Sequence, residues 1–248
     1  AGTELNLNCI AEPGYRFSHW EVGTGNTEVN VLVPPLSVWK YNDSGLDPDT
    51  RWKEEDFDDS AWSEGAGELG YGDGDEATIL DFGGNSEQKH ISYYFRLKFD
   101  IAYPEQFQEL ALQMIRDDGV VAYLNGTELL RNNMPAGEIL PTTLATSFVD
   151  EAQENSYMSF SADAEKLLAG TNILAVEVHQ YDPTSSDLSF DLELQGLSPN
   201  PDTLASYEDR LLTLTPGNEI SIRALTTVHQ PETEAELYIN EFMASNQG

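Results

Sequence analysis

Apolar residues recur at every second position in several stretches of this 248-residue chain, which is the period of a strand with one buried face. The longest alternation is Tyr93, Phe95, Leu97, Phe99 and Ile101. Leu110, Leu112 and Met114 repeat it, and Leu188, Phe190, Leu192 and Leu194 close the series. Val120 to Leu124 runs into Asn125-Gly126, a dipeptide that tolerates the left-handed backbone of a two-residue hairpin, and Glu128-Leu129-Leu130 supplies the returning strand. Ile173 to Val178 reads as a further strand. One segment, 162–169, has helical character, with Asp163 as cap and Gly170 as stop. Short strands separated by turn residues, with almost no helix, predict an all-β fold: an antiparallel jelly-roll β-sandwich with flanking short β segments.

The pattern becomes regular from Leu36 and ends near Leu197. Pro34-Pro35 sets the first boundary, because two prolines donate nothing to a ladder and stiffen the backbone into an extended connector. Upstream, 1–33 holds short runs: Leu5, Leu7 and Cys9 on one face, then Tyr15, Phe17, Trp20 and Val22 beyond a Pro13-Gly14 turn. Downstream, Ser198-Pro199-Asn200-Pro201 reads as a linker, and 198–248 adds strand-like segments at 219–225 and 236–242. The expected organisation is a sandwich over 36–197 between two pieces too short to build cores of their own.

Charge sharpens the functional picture. Hydrophobic residues make up 40% of the chain, enough for a sizeable core. Against 12 basic residues stand 44 acidic ones, a formal net charge of -32. That field repels phosphate backbones and anionic headgroups, so nucleic acid and membrane surfaces are disfavoured as partners while cations are favoured. The acidity equally suits a salty medium or simple solubility. No apolar run approaches a membrane span, so no membrane insertion is expected, and a single cysteine, Cys9, excludes an internal disulfide. The chain opens without a methionine or a signal-peptide pattern, as a fragment cut from a longer secreted protein would.

Several motifs carry a family resemblance. FDDSAW (57–62), YFRLKFD (94–100), DDGVVAYLNG (117–126) and GTNILAVEVHQ (170–180) follow in an order and spacing similar to the sugar-binding domains of family 2 glycoside hydrolases, within the galactose-binding-like jelly-roll superfamily. LGYGDG (69–74), NNMP (132–135) and SSDLSFDLEL (185–194) resemble modules found beside CotH-type and lamin-tail-type domains in large secreted bacterial proteins. Gly14, Tyr15, Phe17 and Trp20 resemble the close of a bacterial internalin-type surface repeat, and INEFMASN (239–246) resembles the first strand of a lamin-tail-type domain. The resemblance implies a monomeric module of a larger multidomain chain, secreted or at the cell surface. Function is a separate question, since this sandwich serves as sugar binder, spacer and enzyme appendage.

DPDTRW (47–52) resembles the discoidin-like branch of that superfamily, in which an aspartate, a threonine and loop carbonyls hold a structural calcium closed by an acidic residue of the last strand. Carried over by position, Asp47 and Thr50 match. The family's upstream Asp-Gly is Gly45-Leu46 here, which leaves Asp43 as the substitute, and Glu193, or failing it Asp191, as the closing carboxylate. The residues themselves allow this reading, because calcium takes about six to eight oxygens from a flexible loop. They allow equally an acidic surface turn whose side chains cap local amides. Calcium is thus the expected cofactor, with chelation lowering the melting temperature and Asp47→Ala removing most of that dependence.

Trp39, Phe57 and Trp62 read as core anchors. Stacking on a sugar instead requires an exposed ring beside polar groups, and two loops offer candidates: Tyr71 with Asp73 in GELGYGDG, and Tyr181 with His179, Asp182 and Asp187 in HQYDPTSSD. A tyrosine tucked into the core is the alternative at LGYGDG. The four histidines, His19, His90, His179 and His229, are scattered, and no nucleophile elbow, Walker loop or HExxH spacing accompanies them. The expected function is non-catalytic binding of a polysaccharide or other glycan, neutral or bridged by calcium, with a structural or adhesive spacer as the alternative.

Overall fold

The computed structural model describes residues 5–11, 15–23, 27–154, 156–199, 205–207, 211–214 and 221–228. They fall into two compact units, one spanning 29–198 and the other drawn from 1–28 and 199–248. In the smaller unit, β1 (Leu5–Asn8) pairs with Leu211–Leu214, and β2 (Tyr15–Gly23) lies between Ala205–Tyr207 and Ser221–Val228. Leu7 and Trp20 are its buried anchors among the described residues. Gly14, Asn200, Pro201, His229 and the segments 236–242 and 239–246 lie outside the described residues.

The larger unit is an antiparallel β-sandwich. Its strands are β3 (Thr27–Val33), β4 (Val38–Asn42), β5 (Ser63–Ala66), β6 (Leu69–Tyr71), β7 (Thr78–Ile79), β8 (Ser92–Ile101), β9 (Glu109–Arg116), β10 (Gly119–Leu124), β11 (Thr127–Asn132), β12 (Met158–Asp163), β13 (Gly170–His179) and β14 (Leu188–Pro199). One sheet has the order β11-β10-β13-β8-β4-β5; the other runs β12-β9-β14-β6-β7, with β3 also paired to β14. From β8 onward the chain steps from sheet to sheet, except within the β10–β11 hairpin, and so wraps the core in jelly-roll fashion. Along the two strand orders every pairing is antiparallel save β6 with β7, which is parallel. The compact unit begins at Val29, ahead of Pro34-Pro35, because β3 joins β14.

The alternating residues meet between the sheets. Phe95 of β8 stacks on Phe190 of β14 at 4.3 Å between ring centroids, and Trp39 meets the same ring edge-on at 5.2 Å. Burying three such rings supplies several kcal/mol, on the order of 1.5–3 each. Asn125 (φ 51°) and Gly126 (φ 80°) make the left-handed turn of the β10–β11 hairpin.

Two elements depart from expectation. The helix expected over 162–169 is a 3₁₀ turn of three residues, Ala164–Lys166, because Ala162 and Asp163 belong to β12 and pair with Leu110 and Glu109. Asp163 still caps it, accepting from the Glu165 N–H at 2.8 Å. β8 is not half-buried: from Ser92 to Arg96 both of its faces are covered. The cover is the 43–62 loop, whose Trp52 packs among Tyr94, Tyr123, Val121, Ile173 and Ala175 in a second apolar cluster on the outside of the sheet. Arg96 ties this loop down. Its Nε donates to Asp59 Oδ2 at 2.9 Å, its Nη1 donates to the carbonyls of Trp52 and Glu54, and its guanidinium lies over the Phe57 ring. Phe57 and Trp62 flank Trp52, so the three aromatics of the loop are packing residues.

Candidate functional site

Four connections converge at one end of the larger unit. They are the β9–β10 turn, the β13–β14 loop, the β6–β7 loop and the long β11–β12 connection. Asp118, in the β9–β10 turn, holds three of them. Its Oδ1 accepts from the Val149 N–H at 2.7 Å and its Oδ2 from the Tyr181 N–H at 2.8 Å. Its carbonyl accepts from Arg116 Nη1 and from Asn133 Nδ2. One carboxylate thereby fixes the backbone beside Phe148 and that of Tyr181. The two rings stand edge to face with centroids 6.3 Å apart, Phe148 69% and Tyr181 43% exposed.

The sequence-derived sugar set divides across this end. Tyr181 and Asp182 are exposed, and Asp182 caps its own turn through the Thr184 N–H and hydroxyl, which holds its carboxyl below the usual range. Tyr71 and His179 are not available to a ligand. Tyr71 is 5% exposed: it lies on β6 facing the core, its hydroxyl accepts from Gln180 Nε2 at 2.9 Å, and the Lys89 ammonium covers its ring. His179 is wholly buried, its Nδ1 against the Thr143 carbonyl at 2.8 Å and its Nε2 against Glu177 at 3.2 Å. Phe148 escaped the sequence reading because it sits in an irregular connection where no period marks it.

The expected calcium ligands do not come together. Asp47 Oδ1 caps the Asp49 N–H at 3.1 Å, and the Thr50 hydroxyl donates to Asp49. Asp43 reaches away to the Asp81 N–H at 2.8 Å. Glu193 lies on β14 in the other sheet, between core residues Leu192 and Leu194, so it points outward and pairs with Gln195. The fallback, Asp191, is buried against the Leu36 N–H and the Tyr157 hydroxyl. The 47–50 loop is an acidic turn of capping side chains, and the residues present do not fit a calcium shell there.

A different acidic group does assemble. Carboxylate oxygens of Asp73, Glu154 and Asp187 lie within 4.8 Å of one another. Asp73 is exposed, Asp187 half-buried and Glu154 buried. Asp73 also accepts from the Ser189 hydroxyl at 3.2 Å, and the Ser189 carbonyl takes the N–H of Asp117 at 3.0 Å. Asp117 is buried, and its Oδ2 has no hydrogen-bond partner. Burial first, then the charges of Asp118, Asp187 and Glu154, push its carboxyl up to about 9. At the opposite end of the unit a depression of about 650 Å³ is lined by Glu105, Asp163 and Glu165 around buried Phe107 and Leu167, and no exposed aromatic ring lines it.

No protein-family description and no curated protein matches the chain. Among solved structures it is similar to a β-glucuronidase of Bifidobacterium dentium complexed with coumarin-3-O-glucuronide, at 16% identity and a TM-score of 0.40 over 62% of this chain and 21% of that one. It is also similar to Bacteroides uniformis β-glucuronidase 2, at 13% identity and a TM-score of 0.43 over 88% of this chain and 29% of that one. An uncultured Clostridium β-glucuronidase matches at 12% identity and a TM-score of 0.42 over 82% and 44%. The chain thus spans less than half the length of each of these enzymes.

Proposed function

We propose that the 29–198 unit is a non-catalytic carbohydrate-binding module of a secreted or surface-anchored multidomain protein. The observation that carries this is the exposed Phe148–Tyr181 pair, held by one buried carboxylate at the loop end of a rigid sandwich. Exposed aromatic rings offer flat faces to the C–H side of a pyranose, and polar groups beside them read hydroxyls. Asp182 and Thr184 flank Tyr181 and supply such groups. The motif resemblance to sugar-binding domains of family 2 glycoside hydrolases supports the same reading. The net charge of -32 favours neutral chains over uronate or sulfated ones.

Affinity electrophoresis of the chain through gels of neutral plant, algal and microbial polysaccharides tests this. Retardation by at least one polymer is expected, with Tyr181→Ala and Phe148→Ala each weakening it about tenfold, the order expected for a lost stacking contact of about 1.4 kcal/mol. The melting temperatures of both variants should stay near that of the parent, since the rings are exposed. Unretarded migration through every gel would replace the module reading with that of a structural or adhesive spacer.

A further inference from the structure

The two exposed rings differ in direction as well as in position, and their directions narrow the ligand. The planes of Phe148 and Tyr181 are inclined at 61° to each other, with centroids 6.3 Å apart. Stacking sets an aromatic ring face to face with the C–H side of a pyranose. A flat surface therefore lies against both rings only where their planes are parallel.

The backbones beneath the rings are not free to swing into line. Residues 143–149 run beside 179–181 and are tied to them at three places. His179 Nδ1 meets the Thr143 carbonyl at 2.8 Å, the Ala145 N–H donates to the Gln180 carbonyl at 3.1 Å, and the Asp118 carboxylate takes the N–H groups of Val149 and Tyr181. Asn133, in the NNMP stretch, clamps the residues just before Phe148. Its Oδ1 accepts from the Thr146 and Ser147 hydroxyls at 2.7 and 2.8 Å, and its Nδ2 donates to the Ser147 carbonyl at 2.6 Å. With both backbones held, the rings turn only by jumps between staggered rotamers, not by drifting into a common plane.

We infer that the pair takes a single, conformationally free glycan chain through at least two of its sugars, and rejects the flat face of a crystalline polysaccharide. In a crystal the packing of neighbouring chains locks the pyranoses of a face into one plane, so only one of the two rings can lie flat on it. In a free chain the glycosidic torsions turn consecutive sugars relative to one another. A centroid separation of 6.3 Å lets neighbouring sugars of one chain reach both rings, each at its own angle. The ligand class is thus a soluble or amorphous neutral polysaccharide. This inference rests on the carbohydrate-binding reading and adds the physical form of the polymer to it.

The test has two arms. In the first, depletion of the chain from solution is measured on microcrystalline cellulose, crystalline chitin and crystalline mannan, beside their acid-swollen forms and the gels of soluble neutral polysaccharides. Retention by at least one soluble or swollen polymer is expected, with none on the crystalline powders. In the second, mono- and disaccharide fragments of the polymer that retards the chain most are titrated and followed by NMR. The disaccharide should bind about tenfold more tightly than the monosaccharide, as the second ring is engaged. Tyr181→Ala and Phe148→Ala should each abolish that gain while leaving the melting temperature near that of the parent, which a merely structural role of the rings would not produce. Depletion on a crystalline powder as strong as on its swollen form overturns the inference and leaves the carbohydrate-binding reading standing. Equal affinity for mono- and disaccharide overturns it as well. Retention by neither form sinks the carbohydrate-binding reading itself, and this inference with it.

Discussion

Asp118 shows how one side chain sets the geometry of a site it does not line. Both of its carboxylate oxygens accept backbone N–H groups, from Val149 and Tyr181, and the residue itself is buried. Asp118→Ala leaves two donors without partners, which is expected to cost about 2–4 kcal/mol in urea unfolding. It should also loosen the Phe148–Tyr181 pair and weaken glycan retention. Asp118→Asn, keeping one acceptor oxygen, should fall between, and equal stability of Asp118→Ala and parent would refute the bracing role. None of this was legible beforehand, because DDG at 117–119 reads as a turn and its partners lie tens of residues away. Tyr71 and Tyr181 look alike in sequence, each in a glycine- or serine-rich loop with aspartates. They part company because Tyr71 pairs with Leu188 in a three-residue strand, too short for any alternation to reveal its inward side.

Elements with a clear period were the ones the sequence disclosed. β8, β9 and β14 follow from alternation, β10 and β13 from apolar runs, and the β10–β11 turn from Asn125-Gly126. The second cover of β8 was hidden, since Ser92, Tyr94 and Arg96 look like the polar side of an ordinary half-buried strand. Only the fold brings Trp52 onto that face and lets Arg96 pair with Asp59 beneath it. Trp52→Ala should therefore behave as a core truncation and cost about 3–5 kcal/mol, measured by chemical denaturation. A loss below about 1 kcal/mol would mean that the 43–62 loop is a surface appendage. The helix expected after Phe160 failed for a related reason: pairing with β9 claimed its first residues for a strand.

At the scale of the whole molecule, the charge of -32 works against compactness. Screening falls to a Debye length of about 10 Å at 0.1 M salt, so raising NaCl from a few millimolar to 0.15 M should lift the melting temperature. A melting temperature insensitive to NaCl would show that self-repulsion is unimportant. Both sheets also close on modest edges. β5 and β7 hold four and two residues, and β5, β11 and β12 carry Glu64, Glu128, Arg131 and Asp163. Short, charged borders offer a poor template to a foreign strand. Copies brought side by side at high concentration would thus stay separate beads instead of fusing into a fibre.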